Sequence, residues 1–313
     1  MKTFGLERIV PKSSMIKVLG KLGKILGWIP GIFQLVIDPY ARPRLSTSSQ
    51  SSRWCGHDFS FELSDYTQRK AFFSCFERRE MRLIANVLHE SQIAIDVGAN
   101  IGLLTIPMAK AVGPSGQVLA FEPIPQNYQR LLFGTSNIRQ VLAANVACSN
   151  DSNVMLDLYR VENEASDHAS TSGSFTAFPT ERTGAKVSVK CVKLEQIISE
   201  LCALHSHVTF MKIDVEGAEE EVLLGCGNFL NPRFVKTLML EAVVSKDGFR
   251  TEDRKVFDIL REAGYEIHPI SVLGNPMRCK LETYVKSPFH HPMWALQLVS
   301  SLSLNYCAIP SKF

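Results

Sequence analysis

Ile95-Asp96-Val97-Gly98-Ala99-Asn100-Ile101-Gly102 is the stretch on which the fold turns. It closes an apolar run that begins at Gln92 and opens a helical pattern from Ile101 to Val112. A buried strand that breaks at small residues into a helix starts a βα unit. Small residues at such a turn let the backbone come close to a ligand. In doubly wound sheets the turn lies at the carboxyl end of its strand, where ligands bind at the switch point.

The pattern continues outward from this turn. Gln117–Glu122 reads as a second strand, Pro125–Asn137 as a second helix and Gln140–Ala147 as a third strand. Further on come a strand at Val208–Asp214, a helix from Ala218 to Leu224 and a strand at Val235–Glu241. A helix at Glu252–Ala263 and a strand at Tyr265–Pro269 follow. Strands that alternate with helices predict an α/β fold with a doubly wound, mainly parallel sheet. Continuous apolar runs fit strands buried on both faces. Val154–Tyr159 and Lys186–Val192 instead alternate like antiparallel strands, around a polar loop from Glu162 to Gly184.

Two ligand classes suit such a turn. The dinucleotide fingerprint is G-x-G-x-x-G. Aligned from Gly98, its second and third glycines are replaced by Asn100 and Leu103. The glycines that admit a pyrophosphate are therefore missing, and Asp96 would repel one. An acid in the loop suits a cationic ligand better. Glu122, at the end of the second strand, is placed to accept hydrogen bonds from ribose hydroxyls.

A second motif, Phe210-Met211-Lys212-Ile213-Asp214-Val215-Glu216-Gly217-Ala218-Glu219, ends another strand and enters another helix. Asp214 and Glu216 are expected to face the same crevice as Asp96 and Glu122. Glu219, Glu220 and Glu221 read as an acidic helix start, which the helix dipole favours.

Three strings in order, Asp96-Val97-Gly98-Ala99-Asn100-Ile101-Gly102, Ala120-Phe121-Glu122-Pro123 and Lys212-Ile213-Asp214-Val215-Glu216-Gly217-Ala218-Glu219, give the chain a family resemblance. Leu240-Glu241 on the last central strand adds to it. The chain resembles the FkbM-type methyltransferases over about residues 75–270. The resemblance implies a class I, Rossmann-like methyltransferase fold with S-adenosyl-L-methionine as methyl donor. It also implies O-methylation of a sugar, polyketide or other small metabolite.

On that reading Asp96, Gly98, Asn100 and Gly102 hold the methionine part of the donor and Glu122 holds its ribose. Ala147, in the stretch Asn145–Cys148, lies beside the adenine. Methyl transfer is an in-line displacement in which the protein mainly aligns the partners. An alcohol acceptor must lose its proton, and Asp214 is the first candidate to take it, with Glu216 and Glu241 next. A metal is not expected. His168, in the polar loop, is a further base candidate, His205 and His207 read as surface residues ahead of a strand, and no further ligand pattern flanks the pair His290-His291. A nicotinamide oxidoreductase and an idle scaffold on the same fold are the rival classes.

The expected organisation has three parts. Residues 1–53 form a basic amphipathic extension that ends in a Ser-rich linker over 46–53. Residues 54–274 form the methyltransferase domain, and residues 275–313 a C-terminal extension of unassigned role. Lys17, Lys21 and Lys24 share one helical face, opposite Met15, Leu19, Leu22, Leu26 and Ile29. That face either covers an apolar patch of the protein or lies in a membrane interface through residues 15–29.

Of the 313 residues, 45% are hydrophobic and 21% charged, as in ordinary globular proteins. A formal net charge of +3 gives no reason to expect nucleic acid as partner, and a small-molecule or glycan acceptor is expected instead. Eight cysteines occur without a C-x-x-C pair, which argues against zinc and for reduced thiols. No apolar run is long enough for a membrane span, because Lys21, Lys24 and Pro30 interrupt the nearest, Val18–Ile37. A cytoplasmic protein, peripheral on a membrane in the second reading, is the expectation.

Overall fold

Five parallel strands organise the larger part of the chain. The computed structural model describes residues 12–27, 32–45, 49–152, 154–161, 175–176, 183–245, 248–277 and 301–311. They divide into two compact units that meet in sequence between Arg78 and Arg79.

The first unit begins with α1 (Lys12–Leu26), a π-helical turn (Phe33–Ile37) and α2 (Asp38–Leu45). A hairpin, β1 (Ser49–Trp54) and β2 (His57–Glu62), and α3 (Tyr66–Phe72) follow. The Ser-rich stretch expected as a linker is thus, from Ser49 onward, a strand paired with β2. The expected boundary at 53/54 falls inside this strand. Cys55 and Gly56, both at positive φ, make the two-residue turn, whose twist suits a hairpin. Trp54, Phe59 and Phe61 are buried with Phe73 and Phe76, so the hairpin folds over an aromatic core.

Leu19 of α1 is buried and Lys17, Lys21 and Lys24 are exposed, as the helical spacing predicts. Gly23 lies where a Cβ would meet the Phe73 carbonyl oxygen at 1.8 Å, so the missing side chain is what lets the helix sit on that backbone. Ile29, read as part of the apolar face, lies outside the described residues, as do Trp28 and Pro30.

The boundary falls just after the first residue of α4 (Arg78–Val87), and the second unit then runs β3 (Ile93–Val97), α5 (Thr105–Val112), β4 (Gln117–Phe121), α6 (Pro125–Thr135) and β5 (Val141–Ala144). An antiparallel excursion follows: β6 (Ala147–Cys148), β7 (Met155–Val161), β8 (Phe175–Thr176) and β9 (Thr183–Val192). The chain then returns through α7 (Leu194–His205), β10 (Val208–Ile213), α8 (Glu219–Leu224), β11 (Val235–Ser245), β12 (Gly248–Phe249), α9 (Thr251–Glu262), β13 (Tyr265–Pro269) and β14 (Ser301–Pro310).

The main sheet has the order β13-β14-β11-β10-β3-β4-β5, with β12 a short addition to β11. Neighbours from β11 to β5 are parallel, while β14 runs antiparallel to both β11 and β13. The chain leaves β3 toward β4 and β5, then resumes on the other side with β10 and β11. The order therefore reverses between β3 and β10, which makes the crevice there a switch point. β3 and β10 are buried along their full length, in a core shared with Leu238, Leu240, Val256, Phe257, Leu260 and Tyr306.

Three expectations are corrected here. The helix read from Ile101 begins only at Thr105. Asn100 and Gly102 have positive φ, which an α-helix does not tolerate, so the loop stays open for four residues longer. The strand read as Gln140–Ala147 is two: β5 in the main sheet, and β6, which pairs with β9 in a second sheet of order β6-β9-β7-β8. The C-terminal extension supplies β14, an interior strand of the main sheet. The two alternating segments pair antiparallel as β7 and β9, as their pattern predicts. Most of the polar loop between them, with His168, and the pair His290-His291 lie outside the described residues. The seven described cysteines are free thiols. No helix among the described residues is long and apolar enough to cross a membrane.

Candidate active site

Strand register brings the motif residues into one row. Ile213 is level with Val97 on one side and with Leu240 on the other. Val97 is level with Phe121, and Phe121 with Ala144. One residue beyond these pairs stand Glu241, Asp214, Gly98, Glu122 and Asn145; the last four follow the carboxyl ends of their strands, while Glu241 lies within β11, just past its parallel pairing with β10. Of the four acids expected to face one crevice, Asp214 and Glu122 stand in this row and Glu216 lies two residues beyond Asp214, whereas Asp96 is buried inside β3, level with Lys212.

The loop after β3 is held from several sides. Gly98 and Ala99 both donate their N–H groups to the Phe121 carbonyl, at 2.9 Å each. Glu122 Oε2 accepts from the Asn100 N–H at 2.8 Å and Oε1 from the Ile124 N–H at 2.9 Å. Burial pushes the Glu122 carboxyl up, and these N–H donors with Asn127 and Lys212 pull against it. Asn145 Nδ2 donates to the carbonyls of Glu122 and Pro123, at 2.9 and 2.8 Å, and fixes the end of β4. Glu122 is thus a splint for the loop. Asn100 is exposed at positive φ on the loop, and Gly102 is buried.

The loop after β10 is built in the same way. Glu219 Oε1, at the start of α8, accepts from the N–H groups of Val215 and Gly217 at 3.2 and 3.3 Å. Glu219 does for this loop what Glu122 does for the first. Glu216 has a positive φ of 55°, a left-handed conformation uncommon for a residue with a side chain. Such local strain is typical of binding and catalytic loops. Desolvation, then Asp214 and Glu219, push the Glu216 carboxyl up to about 7, against Lys212 and Arg250. Its surface is nevertheless exposed, so water moderates the desolvation, and the neighbouring carboxylates carry the same upward sign.

Asp96 is fully buried. Thr105 Oγ1 donates to its Oδ2 at 2.6 Å, and Lys212 Nζ lies 3.4 Å from its Oδ1. Its charge therefore anchors the base of the loop. Asp214 is 40% exposed at the crevice, 3.3 Å from the same Nζ. Glu241 is half-buried at the row's far end. Ala147 is not in the row: its side chain is packed among Ile124, Leu158, Val189 and Cys191. His205 and His207 lie at the amino end of β10, away from the row. Among the described residues no group of three His, Cys, Asp or Glu side chains is arranged to hold a metal ion.

Lys212 and Thr105 are side chains of the site to which the sequence reading gave no role, and Glu219, read as part of an acidic helix start, also braces the second loop. Lys212 had a signal: a lysine inside the run Val-Thr-Phe-Met-Lys-Ile of a central strand is a buried charge that must be matched.

A parallel sheet of this order, with an antiparallel strand inserted beside its edge and acids at the switch point, defines a class I, Rossmann-like methyltransferase. A model of the methyltransferase FkbM domain matches residues 96–267, more than half of the chain, and the chain belongs to that family. Membership carries S-adenosyl-L-methionine as the cofactor. A curated relative is the AMB antimetabolite synthetase AmbE of Pseudomonas aeruginosa, 26% identical over 212 residues, which are 58% of this chain and 10% of the relative. The chain thus spans about a tenth of that relative's length. Solved structures with a likeness include fibrillarin of Aeropyrum pernix with bound S-adenosyl-L-methionine. It is 10% identical with a TM-score of 0.37, covering 71% of this chain and 68% of its own. Another is the precorrin-6y C5,15-methyltransferase of Geobacter metallireducens, 13% identical with a TM-score of 0.38, covering 75% and 87%. Likeness at this level is weak, and the chain's own strand order defines its fold.

The residues present fit such a cofactor. The accessible groups beside the loop are carboxylates, which suit a ligand with a sulfonium and an ammonium group. The Gly98 loop is pinned with its turn open, and the Glu122 carboxylate stands at the end of the second strand.

Proposed function

We propose that the chain O-methylates a small molecule or glycan, a sugar, polyketide or other small metabolite, with Asp214, Glu216 and Glu241 on the acceptor side of the crevice. The observation that carries this reading is the carboxylate group on the loop after β10, level with the donor loop by strand register. The bound cofactor supplies a methyl group already activated by a sulfonium charge. The chain's own residues hold the donor through the Gly98–Gly102 loop and Glu122, and align the acceptor hydroxyl. As the new C–O bond forms, the methyl group's bond to sulfur would break to leave a neutral thioether, and the hydroxyl's proton passes to a carboxylate. Glu216 takes this role ahead of Asp214, because Asp214 is engaged by Lys212 while Glu216 is exposed and pushed toward neutrality.

Incubation with methyl-labelled donor and pools of hydroxylated small molecules and glycans tests the reading. Transfer to a hydroxyl, lost in Glu216→Gln with product binding retained, is expected. Stabilisation by a nicotinamide nucleotide but not by S-adenosylhomocysteine would overturn it in favour of an oxidoreductase. Donor binding with no transfer to any pool would favour a scaffold.

A second reading concerns location. Val18 and Ile25 are 62% and 67% exposed on α1, next to Lys17, Lys21 and Lys24. Apolar side chains set among lysines support peripheral contact of residues 15–29 with an anionic membrane. Co-sedimentation with anionic liposomes, absent in Val18→Ser/Ile25→Ser, is expected. Equal sedimentation of both proteins, or of neither, counts against the contact.

A further inference from the structure

Lys212 is the last residue but one of the buried strand β10, level with Asp96 of β3. Residues level with each other across a parallel pair share a face, and so do residues two apart on one strand. Lys212, Asp96, Gly98 and Asp214 therefore belong to one face at the end of the sheet. Lys212 Nζ donates to the Gly98 carbonyl at 2.8 Å. It lies 3.4 Å from Asp96 Oδ1 and 3.3 Å from Asp214 Oδ2, with its side chain only 6% exposed. An ammonium has three N–H donors and no acceptor; here one hydrogen bond goes to Gly98, and the two carboxylates stand at ion-pair distance.

A second observation meets the first. The two loops touch at the same two residues that Lys212 joins, since a Cβ on Gly98 would meet the Asp214 carbonyl oxygen at 1.9 Å. Asp214 in turn donates its N–H to the Val97 carbonyl at 3.1 Å. A buried lysine is costly, and an apolar side chain of similar length would fill the space without that cost. What an apolar side chain could not do is tie the donor loop to the carboxylate loop.

Charge adds a consequence. Lys212, Asp96 and Asp214 together carry one net negative charge, and only Asp214 is accessible. The methyl donor is a sulfonium, with one more positive charge than its thioether product. We propose that Lys212 is a positioning residue that sets the spacing of the two loops, and that the residual charge on Asp214 makes the site prefer the cationic donor over the neutral product. This rests on the assignment of S-adenosylmethionine to the crevice.

Calorimetric binding of S-adenosylmethionine and S-adenosylhomocysteine to the full chain tests it. In Asp214→Asn the trio becomes neutral. The donor-to-product affinity ratio is expected to fall about tenfold while product affinity holds, as for a unit charge removed at close range. In Lys212→Met/Asp96→Asn the net charge is kept and no lone buried charge remains, but the tie to Gly98 is gone. Both ligands are expected to weaken together by about tenfold or more, with the ratio unchanged. A purely structural lysine would leave the ratio alone in Asp214→Asn and restore both affinities in a folded double variant, and either result overturns the proposal. If the double variant does not fold, the ratio in Asp214→Asn still decides the charge argument. A wild-type chain that binds neither ligand would instead overturn the cofactor assignment.

Discussion

Arg69 in the first unit and Lys212 in the second are both cations buried among protein, and they meet that condition in opposite ways. Arg69 is closed off. Its Nε is 2.7 Å from Asp38 Oδ1, and its Nη1 donates to the carbonyls of Leu63 and Ser64 at 2.9 and 2.7 Å. Both partners of the ion pair are buried. Lys212 is buried too, but one of its two carboxylates, Asp214, reaches the surface of the crevice. The closed pair joins α2 to α3 and serves the fold. The open trio spends the same desolvation at a place where a ligand can feel the charge.

The largest effect should come from breaking the closed pair. Arg69→Met leaves Asp38 buried without its cation, and a loss of about 3–5 kcal/mol in stability is expected by urea denaturation. Product affinity of the folded protein should not fall in proportion. If it does, the contrast between the two cations is wrong.

Next comes the splint on the donor loop. Glu122→Ala removes an acceptor for the Asn100 and Ile124 N–H groups along with the donor contact proposed for it. Donor affinity is expected to drop by roughly one to two orders of magnitude in calorimetry. Unchanged affinity would remove Glu122 from the site.

A smaller effect separates the two loops. A Cβ on Gly217 would meet nothing within 4 Å, in contrast to Gly98, yet its φ is +104°. Gly217→Ala should therefore cost only backbone strain, about 1 kcal/mol in thermal melts. A much larger loss would mean that the second loop is as tightly enclosed as the first.

The smallest effect concerns Glu216. Its folded carboxyl is raised from 4.5 to about 7, so its charged form is disfavoured by the fold. The unfolded chain is then the stronger acid, and the group destabilises the fold above its unfolded value. Glu216→Gln should be slightly more stable than the parent above pH 7. The advantage should shrink as pH falls from about 7 to 4.5 and vanish below that, where both forms are neutral. Melting curves at pH 8 and pH 4.5 with equal differences would refute the shift.

Much of this was readable in the sequence, and the boundary of legibility has physical causes. β3 and β10 announced themselves because strands buried on both faces are continuous apolar runs. The row of Glu122, Gly98, Asp214 and Glu241 followed once those strands were placed. The loop end of α5 was misplaced because Asn100, unlike glycine, does not advertise a positive φ. β14 was missed because its run, Ser301–Pro310, is separated from its partners and carries no motif. Burial of Asp96 could not be read either. An acid in a ligand loop and an acid beneath it look alike until the opposing lysine is placed by register.

That late strand bears on how the chain folds. β11 and β13 are hydrogen-bonded to β14 and not to each other. The segment from Ser301 to Pro310 must therefore enter a slot between two strands that precede it, across a long closure of intervening chain. Contacts of that range carry a large loop entropy and tend to form late. Until they form, both neighbouring strands present bare edges, the usual template for association with other chains. A proteolytic cut ahead of Ser301 would thus remove the interior of a sheet and leave two sticky borders.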